Sequence, residues 1–114
     1  MKNIKRLSIV FANLKFKDGS GSKGRPVYIL KIEDKYYRIL RITSKFKNKS
    51  ESIKEKYFEI RHWKEAGLWK PSWIDTVQGY NLPINTETEE LGELSSEDKD
   101  RLFDFIQERE GLFD

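Results

Sequence analysis

The stretch Gly24-Arg25-Pro26-Val27-Tyr28-Ile29-Leu30-Lys31-Ile32-Glu33-Asp34-Lys35-Tyr36-Tyr37-Arg38-Ile39-Leu40-Arg41-Ile42-Thr43-Ser44 decides how this chain folds. Two runs rich in β-branched and aromatic residues flank a polar pair, which is the pattern of an antiparallel hairpin. We read strands over residues 26–33 and 36–44, with Asp34-Lys35 at the turn. Centred there, Val27 faces Ile42, Ile29 faces Leu40 and Leu30 faces Ile39, so apolar residues match on both faces. The same register sets Arg25 opposite Ser44 and Pro26 opposite Thr43, about 5 Å apart. One fixed cation and two hydroxyls therefore meet at the open end of the hairpin.

That corner suits a phosphate. Arginine offers a planar fork of donors that matches phosphate oxygens. Pro26 stiffens the chain immediately after it, and the hydroxyls of Thr43 and Ser44 can donate to the same anion. Strict alternation would send Arg25 and Thr43 to opposite faces. A bulge or sharp twist is therefore expected near residues 43–45.

Outward from the hairpin, residues 7–16 read as a first strand. Residues 17–24, Lys-Asp-Gly-Ser-Gly-Ser-Lys-Gly, read as a loop, because three glycines in eight residues disfavour an extended core element. Residues 46–56 are polar and lysine-rich, expected as a surface loop. Further strands are expected at 57–60, 73–77 and 80–84, with a helical turn over 62–67 closed by Gly67. Pro71 blocks any longer helix.

Near the C-terminus, Ser95 supplies an N-cap with Asp98 as a capping-box-like partner, and Glu97, Asp98 and Asp100 complement the helix dipole. Leu102, Phe105 and Ile106 then share one face, with Phe103 beside them. The expected architecture is mainly β: one domain over residues 1–114, a small strongly curved barrel over about 7–84, and a C-terminal helix over about 95–110.

Composition narrows the chemistry. Hydrophobic residues make up 37% of the chain, and fifteen aromatics supply bulky core material, so wholesale disorder is not expected. Cysteine is absent, which excludes disulfides and thiolate metal sites and fits a reducing compartment. With a single histidine, metal clusters and Cys/His dyads have no ligand set, so no metal or cofactor is expected; His62, in Arg61-His62-Trp63, is read as structural or surface. No apolar run reaches the roughly 18 residues of a spanning helix. The basic start followed by a short apolar run imitates a secretory signal, but it runs into Lys15 and Lys17 and reads as a strand of a cytoplasmic protein with no membrane association.

Charge is strongly segregated. Residues 1–72 hold 19 Lys and Arg against 7 Asp and Glu, a balance of +12, whereas residues 73–114 hold 3 against 12, a balance of −9. A basic segment of that size points to a polyanion, nucleic acid above all. The acidic third can instead fold back and balance it, or shield a basic groove. Trp63, Trp69 and Trp73 fall within eleven residues and can serve the core, a dimer contact or base stacking.

At this level of detail four ordered blocks resemble the MazF/PemK family of type II toxin–antitoxin toxins. They are Phe16…Asp18-Gly-Ser-Gly-Ser-Lys-Gly-Arg25-Pro26-Val-Tyr-Ile-Leu; Arg41-Ile42-Thr43-Ser44-Lys45; Ala66-Gly67-Leu68…Lys70-Pro71-Ser72-Trp73-Ile74; and Leu91-Gly92-Glu93-Leu94-Ser95…Asp98. The resemblance implies an SH3-like small barrel of the MazF/PemK/CcdB type and a homodimer. It also implies a metal-independent endoribonuclease that cuts single-stranded RNA, including mRNA, and is neutralised by a cognate antitoxin. It places the catalytic arginine on Arg25 and the catalytic threonine on Thr43, with attack by the ribose 2′-OH giving a 2′,3′-cyclic phosphate and a 5′-OH. Lys17, Ser20, Ser22 and Lys23 before the first hairpin strand, and Ser44, Lys45 and Lys47 after the second, are the expected phosphate- and RNA-binding residues.

Two positions depart from the family pattern. Leu7-Ser8 stands where many members have Gly-Asp, and Ser20 stands where some carry a glutamate five residues before the arginine, leaving Asp18 as the nearest acid. The general base is therefore unassigned. A barrel that binds RNA or protein without cutting it, and a toxin of the same fold that poisons a topoisomerase, are the two alternatives. The lysine-rich segment 45–56 either sets the RNA preference or is a solvated linker.

Overall fold

The computed structural model describes residues 4–15, 22–107 and 109. Among the described residues seven strands and two helices follow one another: β1 (Ser8–Lys15), β2 (Ser22–Ile32), β3 (Tyr36–Thr43), α1 (Glu51–Lys54), β4 (Tyr57–Ile60), β5 (Ser72–Asp75), β6 (Tyr80–Pro83), β7 (Thr88–Glu93) and α2 (Ser96–Ile106). All strand pairings are antiparallel, in the order β4-β5-β3-β2-β1-β7. β6 pairs with the first half of β3, on Tyr36 to Ile39, whereas β5 takes its last two residues. The protein is thus mainly β with a C-terminal helix, as expected, but the sheet is not closed into a barrel. Its edges among the described residues include β4 and β7. The solvent-facing glutamates of β7, Glu89, Glu90 and Glu93, discourage pairing with another chain.

β1, β2 and β3 bury residues on both faces. One face carries Ile9, Tyr28, Leu30, Leu40 and Ile42 against Phe58, Ile74 and Leu102. The other carries Val10, Ala12, Val27, Ile29, Tyr37 and Ile39 with Leu82. Two-sided burial explains why the hairpin reads as nearly continuous apolar runs.

The hairpin turn is centred where the sequence places it: Ile32 pairs with Tyr37 and Lys31 with Arg38. Between Ile29 and Lys31 the register shifts, with Leu30 as the extra residue. Beyond the bulge Ile29 pairs with Ile39, Tyr28 with Leu40 and Val27 with Arg41, one position from the expected partners. The correction matters for the corner. In the shifted register residues of like parity share a face, so Arg25 and Thr43 fall on the same side as Val27 and Arg41. The irregularity needed to unite them exists, but it sits in β2 rather than at residues 43–45. At 43–45 the strand simply ends, and the Lys45 N–H donates to Thr43 Oγ1 at 3.0 Å, turning the chain.

The expected pairs of Arg25 with Ser44 and Pro26 with Thr43 are absent. The β2–β3 ladder stops at Val27–Arg41, after which β2 stays with β1, Arg25 opposite Ala12, while β3 crosses to β5, Thr43 opposite Trp73. Residues 22–24 are strand rather than loop, because β1 pairs with them: Ser22 with Lys15, Lys23 with Leu14 and Gly24 with Asn13. Gly24 is suited to its place, since a Cβ there would run into the Phe11 ring.

Other elements differ more modestly. β5 begins at Ser72 and stops at Asp75, where the Asp75 carboxylate accepts the Val77 N–H. β7 lies beyond the expected barrel limit, and a single turn of helix, α1, capped by Ser50, interrupts the expected 46–56 loop. Gly67 closes the turn over 62–67 with φ 87°, and a Cβ there would strike the Leu91 carbonyl. α2 ends at Ile106 rather than 110, with Ser95 Oγ accepting the Asp98 N–H as its cap. Leu102 and Ile106 are buried and Phe105 packs beside them, while Phe103 is exposed.

Candidate nucleic-acid site

Where β2 and β3 part, the sheet forks, and a cavity of about 250 Å³ occupies the gap. Residues 23–26 of β2 form one wall, residues 42–45 at the end of β3 another, and residues 68–70 with Ser72 the third. Five of the residues marked by the sequence thus line one space: Lys23, Arg25, Thr43, Ser44 and Lys45. Lys47 does not line it. Ser22 opens β2, one residue outside this wall, and Lys17 and Ser20 lie outside the described residues.

Among the described residues the charge lining this cavity is of one sign: Lys23, Arg25, Lys45 and Lys70 line it, no carboxylate or imidazole does, and none of the four cations has an ion pair. Like charges gathered in this way repel one another, and an anion placed among them relieves that repulsion. Thr43 adds a hydroxyl to the same lining. Because its oxygen accepts from Lys45 N, its own O–H is left to donate outward.

The tryptophans divide. Trp63 packs against the core. Trp73 stacks on Phe46, centroids 4.6 Å apart and planes 4° from parallel. Trp69 alone of the three is strongly exposed, at 57%, on the cavity rim, with its ring 6.2 Å from Phe11. Trp69 is one of the three tryptophans that the sequence offers for the core, a dimer contact or base stacking, whereas Lys70 is not among the expected RNA-binding residues. Their common signal is the Trp69-Lys70-Pro71 run, in which proline forbids a helix and sends both residues to a connecting loop.

Arg25 also lines a second, larger cavity of about 830 Å³, together with Arg41, Tyr80 and Asn81. The Arg41 guanidinium lies 4.5 Å over the Tyr80 ring and 3.6 Å from the Asp75 carboxylate. Sequence reasoning gave Arg41 no separate role, although a cation between Leu40 and Ile42 in a core strand is itself a signal.

His62 has the structural role expected of it. Its Nε2 lies 2.8 Å from Glu97, and that hydrogen bond raises the imidazole above its ordinary value of 6.5 while lowering Glu97 below 4.5. Beside it, fully buried Asp98 does not close a capping box. Its carboxylate instead accepts the backbone N–H groups of Arg61 and His62 at 3.3 and 2.8 Å and an Arg101 N–H at 2.6 Å. Glu97 and Asp98 of the acidic third thus balance basic residues that do not line the fork cavity. Among the described residues, no α2 carboxylate is paired with a cavity cation.

No protein-family model matches this chain, and no curated protein matches it. The resemblance to the MazF/PemK family therefore stands on the four quoted blocks. One departure has a physical counterpart: Leu7, at the position matched to the family's glycine, has φ 69°, a left-handed backbone that glycine adopts without cost. Among the described residues no helix is long and apolar enough to cross a membrane, and no group of three or more potential metal ligands occurs.

Proposed function

We propose that this chain is a metal-independent endoribonuclease of the MazF/PemK type, acting on single-stranded RNA, working as a homodimer of open SH3-like barrels and held in check by an antitoxin protein. The observation that carries this reading is the fork: Arg25 and Thr43 line one small cavity with three lysines and, among the described residues, no carboxylate. A phosphodiester seated there is surrounded by donors. As the ribose 2′-OH attacks phosphorus, negative charge grows on the non-bridging oxygens, and Arg25 stabilises it most where it is greatest. Thr43 orients a phosphate oxygen through its free O–H. The P–O5′ bond then breaks with its electron pair passing to O5′, which takes a proton from water, giving a 2′,3′-cyclic phosphate and a 5′-OH.

Arg25 is not the base, because a guanidinium does not deprotonate in proteins. No described lining residue of the fork is a ready acceptor for the 2′-OH proton at neutral pH, so the general base stays unassigned and the part assigned to Arg25 is electrostatic. The rate is therefore expected to depend strongly on Arg25.

The test is incubation of the purified protein with long single-stranded RNA in EDTA, beside Arg25→Ala. Cleavage that survives chelation, leaves 5′-OH ends and falls about 10²–10³-fold in the variant is the expected result. RNA that is bound but intact makes the protein a binding module. Intact RNA with an inhibited topoisomerase makes it a poison of that enzyme.

A further inference from the structure

We infer that the larger cavity beside the fork is a second phosphate subsite, so that this chain grips single-stranded RNA by two successive phosphates, one on each side of a cationic ridge formed by Lys23 and Arg25. The inference rests on the proposal that single-stranded RNA is the ligand, and it concerns how many phosphates are held and which residue takes the second.

Lys23 and Arg25 stand two positions apart on β2, and alternation puts both side chains on one face of the sheet. Each lines the fork and the larger cavity alike, so the pair divides the two spaces. Neither has an ion pair among the described residues. Lys45 and Lys70 add positive charge on the fork side, and Arg41 adds it on the other. Cations spread in this way across β2, rather than gathered in one space, match a chain of anions better than a lone one.

The spacing agrees. Arg41 pairs with Val27, and Arg25 lies two residues from Val27 on the same side, which makes Arg25 and Arg41 diagonal neighbours. Such positions are about 7–8 Å apart in a regular ladder and wider where strands part, as they do here. Long side chains over that span reach anions one nucleotide apart.

Arg41 is oriented for the second of them. Its guanidinium lies 4.5 Å over the Tyr80 ring, and the Asp75 carboxylate is 3.6 Å away, beyond hydrogen-bond length. None of its N–H groups has a hydrogen-bond partner among the described residues, and Nε is buried without one. A buried donor of this kind costs free energy until something accepts from it. Asn13, Asn85 and Thr86 in the same lining can donate as well as accept, and Glu87, the one carboxylate among the described lining residues, is exposed. Contacts to phosphate carry no base information, so this grip is expected to be blind to sequence.

The experiment uses 3′-labelled oligoadenylates of about eight nucleotides, read by fluorescence anisotropy. Their 2′-fluoro sugars block 2′-OH attack, and neutral methylphosphonate linkages replace all but chosen phosphates. One probe keeps a single charged linkage, one keeps two successive linkages, and one keeps two at opposite ends. The successive pair is expected to bind about tenfold tighter than the single linkage, against about twofold for the distant pair, which only doubles the ways of binding. Its log affinity should also fall more steeply with log salt, by about 0.7, the slope of one further phosphate on a single strand. In Arg41→Gln the successive pair should lose its advantage over the distant pair, a ratio read within one protein. The salt slope of the wild type tests the same point where that variant does not fold.

Equal affinities for successive and distant pairs in the wild type, or an advantage that survives in Arg41→Gln, overturns the inference. Failure to bind fully charged RNA of the same length sinks it together with the proposed function. Binding of that RNA with no advantage for successive charges sinks only the second subsite, and the advantage without cleavage of 2′-OH RNA sinks only the nuclease reading.

Discussion

The two ends of β3's neighbourhood handle charge in opposite ways. At the α2 end, the buried Asp98 carboxylate meets two backbone N–H groups and Arg101, and Glu97 meets Arg61 and His62. At the fork, Arg25, Lys23, Lys45 and Lys70 surround a cavity with no carboxylate among the described residues of its lining. The first arrangement is complete within the chain and holds the helix to β4. The second has no counter-charge among the described residues. A charge whose partners are present within the chain serves the fold, whereas the cations of the fork leave room for the anion proposed above.

Four changes test that contrast, beginning with the largest expected effect. Asp98→Ala removes the acceptor for two backbone donors and strands Arg101, so it should cost about 3–5 kcal/mol in denaturant unfolding. RNA affinity per folded molecule should not change; a variant as stable as wild type would mean that the cluster is incidental.

At the fork the sign reverses. Lys70→Glu places the missing counter-charge in the cavity, so the melting temperature should hold or rise while RNA binding weakens. The slope of log affinity against log salt should also flatten by about 0.7, the value for one phosphate contact on a single strand. Loss of both stability and binding would show that the lysine supports the fold.

Trp69→Ala removes an exposed ring and should weaken RNA by about 1–3 kcal/mol, read as a change in dissociation constant, with unfolding unchanged.

The smallest effect concerns pH. His62 is raised by its Glu97 hydrogen bond, so its contribution is full below its ordinary value of 6.5 and is lost as pH rises through the raised value. Glu97 is lowered, so its contribution holds above 4.5 and is lost as pH falls through the lowered value. The pair therefore works best between those limits. Glu97→Gln should lower the melting temperature slightly more near about pH 5.5 than near about pH 8. Both side chains are solvent-exposed, which keeps the effect small.

What could be read in advance follows from the range of the interactions involved. The hairpin turn at Asp34-Lys35, the Ser95 cap, the Gly67 closure and the buried face of Leu102 and Ile106 all depend on residues within a few positions of one another. Composition and spacing reveal them. β7 escaped because Thr88-Glu89-Glu90-Leu91-Gly92-Glu93 carries the charge of an edge strand rather than an apolar alternation. The role of Asp98 escaped because its partners Arg61 and His62 lie 37 and 36 positions away.

The sequence by itself determined which residue types stand at the two ends of the hairpin: Arg25 at the end of a Gly/Ser-rich run, Thr43-Ser44 at the close of an aliphatic strand. It did not determine their geometry. Val27 to Ile32 and Ile39 to Ile42 offer apolar residues to both faces, so alternation alone cannot choose between registers one residue apart. Only packing on two cores decided that Leu30 bulges, and the bulge aligns Arg25 with Thr43. The fork between them was likewise decided by β3 leaving β2 for β5, a pairing with residues some thirty positions further along the chain that no local pattern encodes.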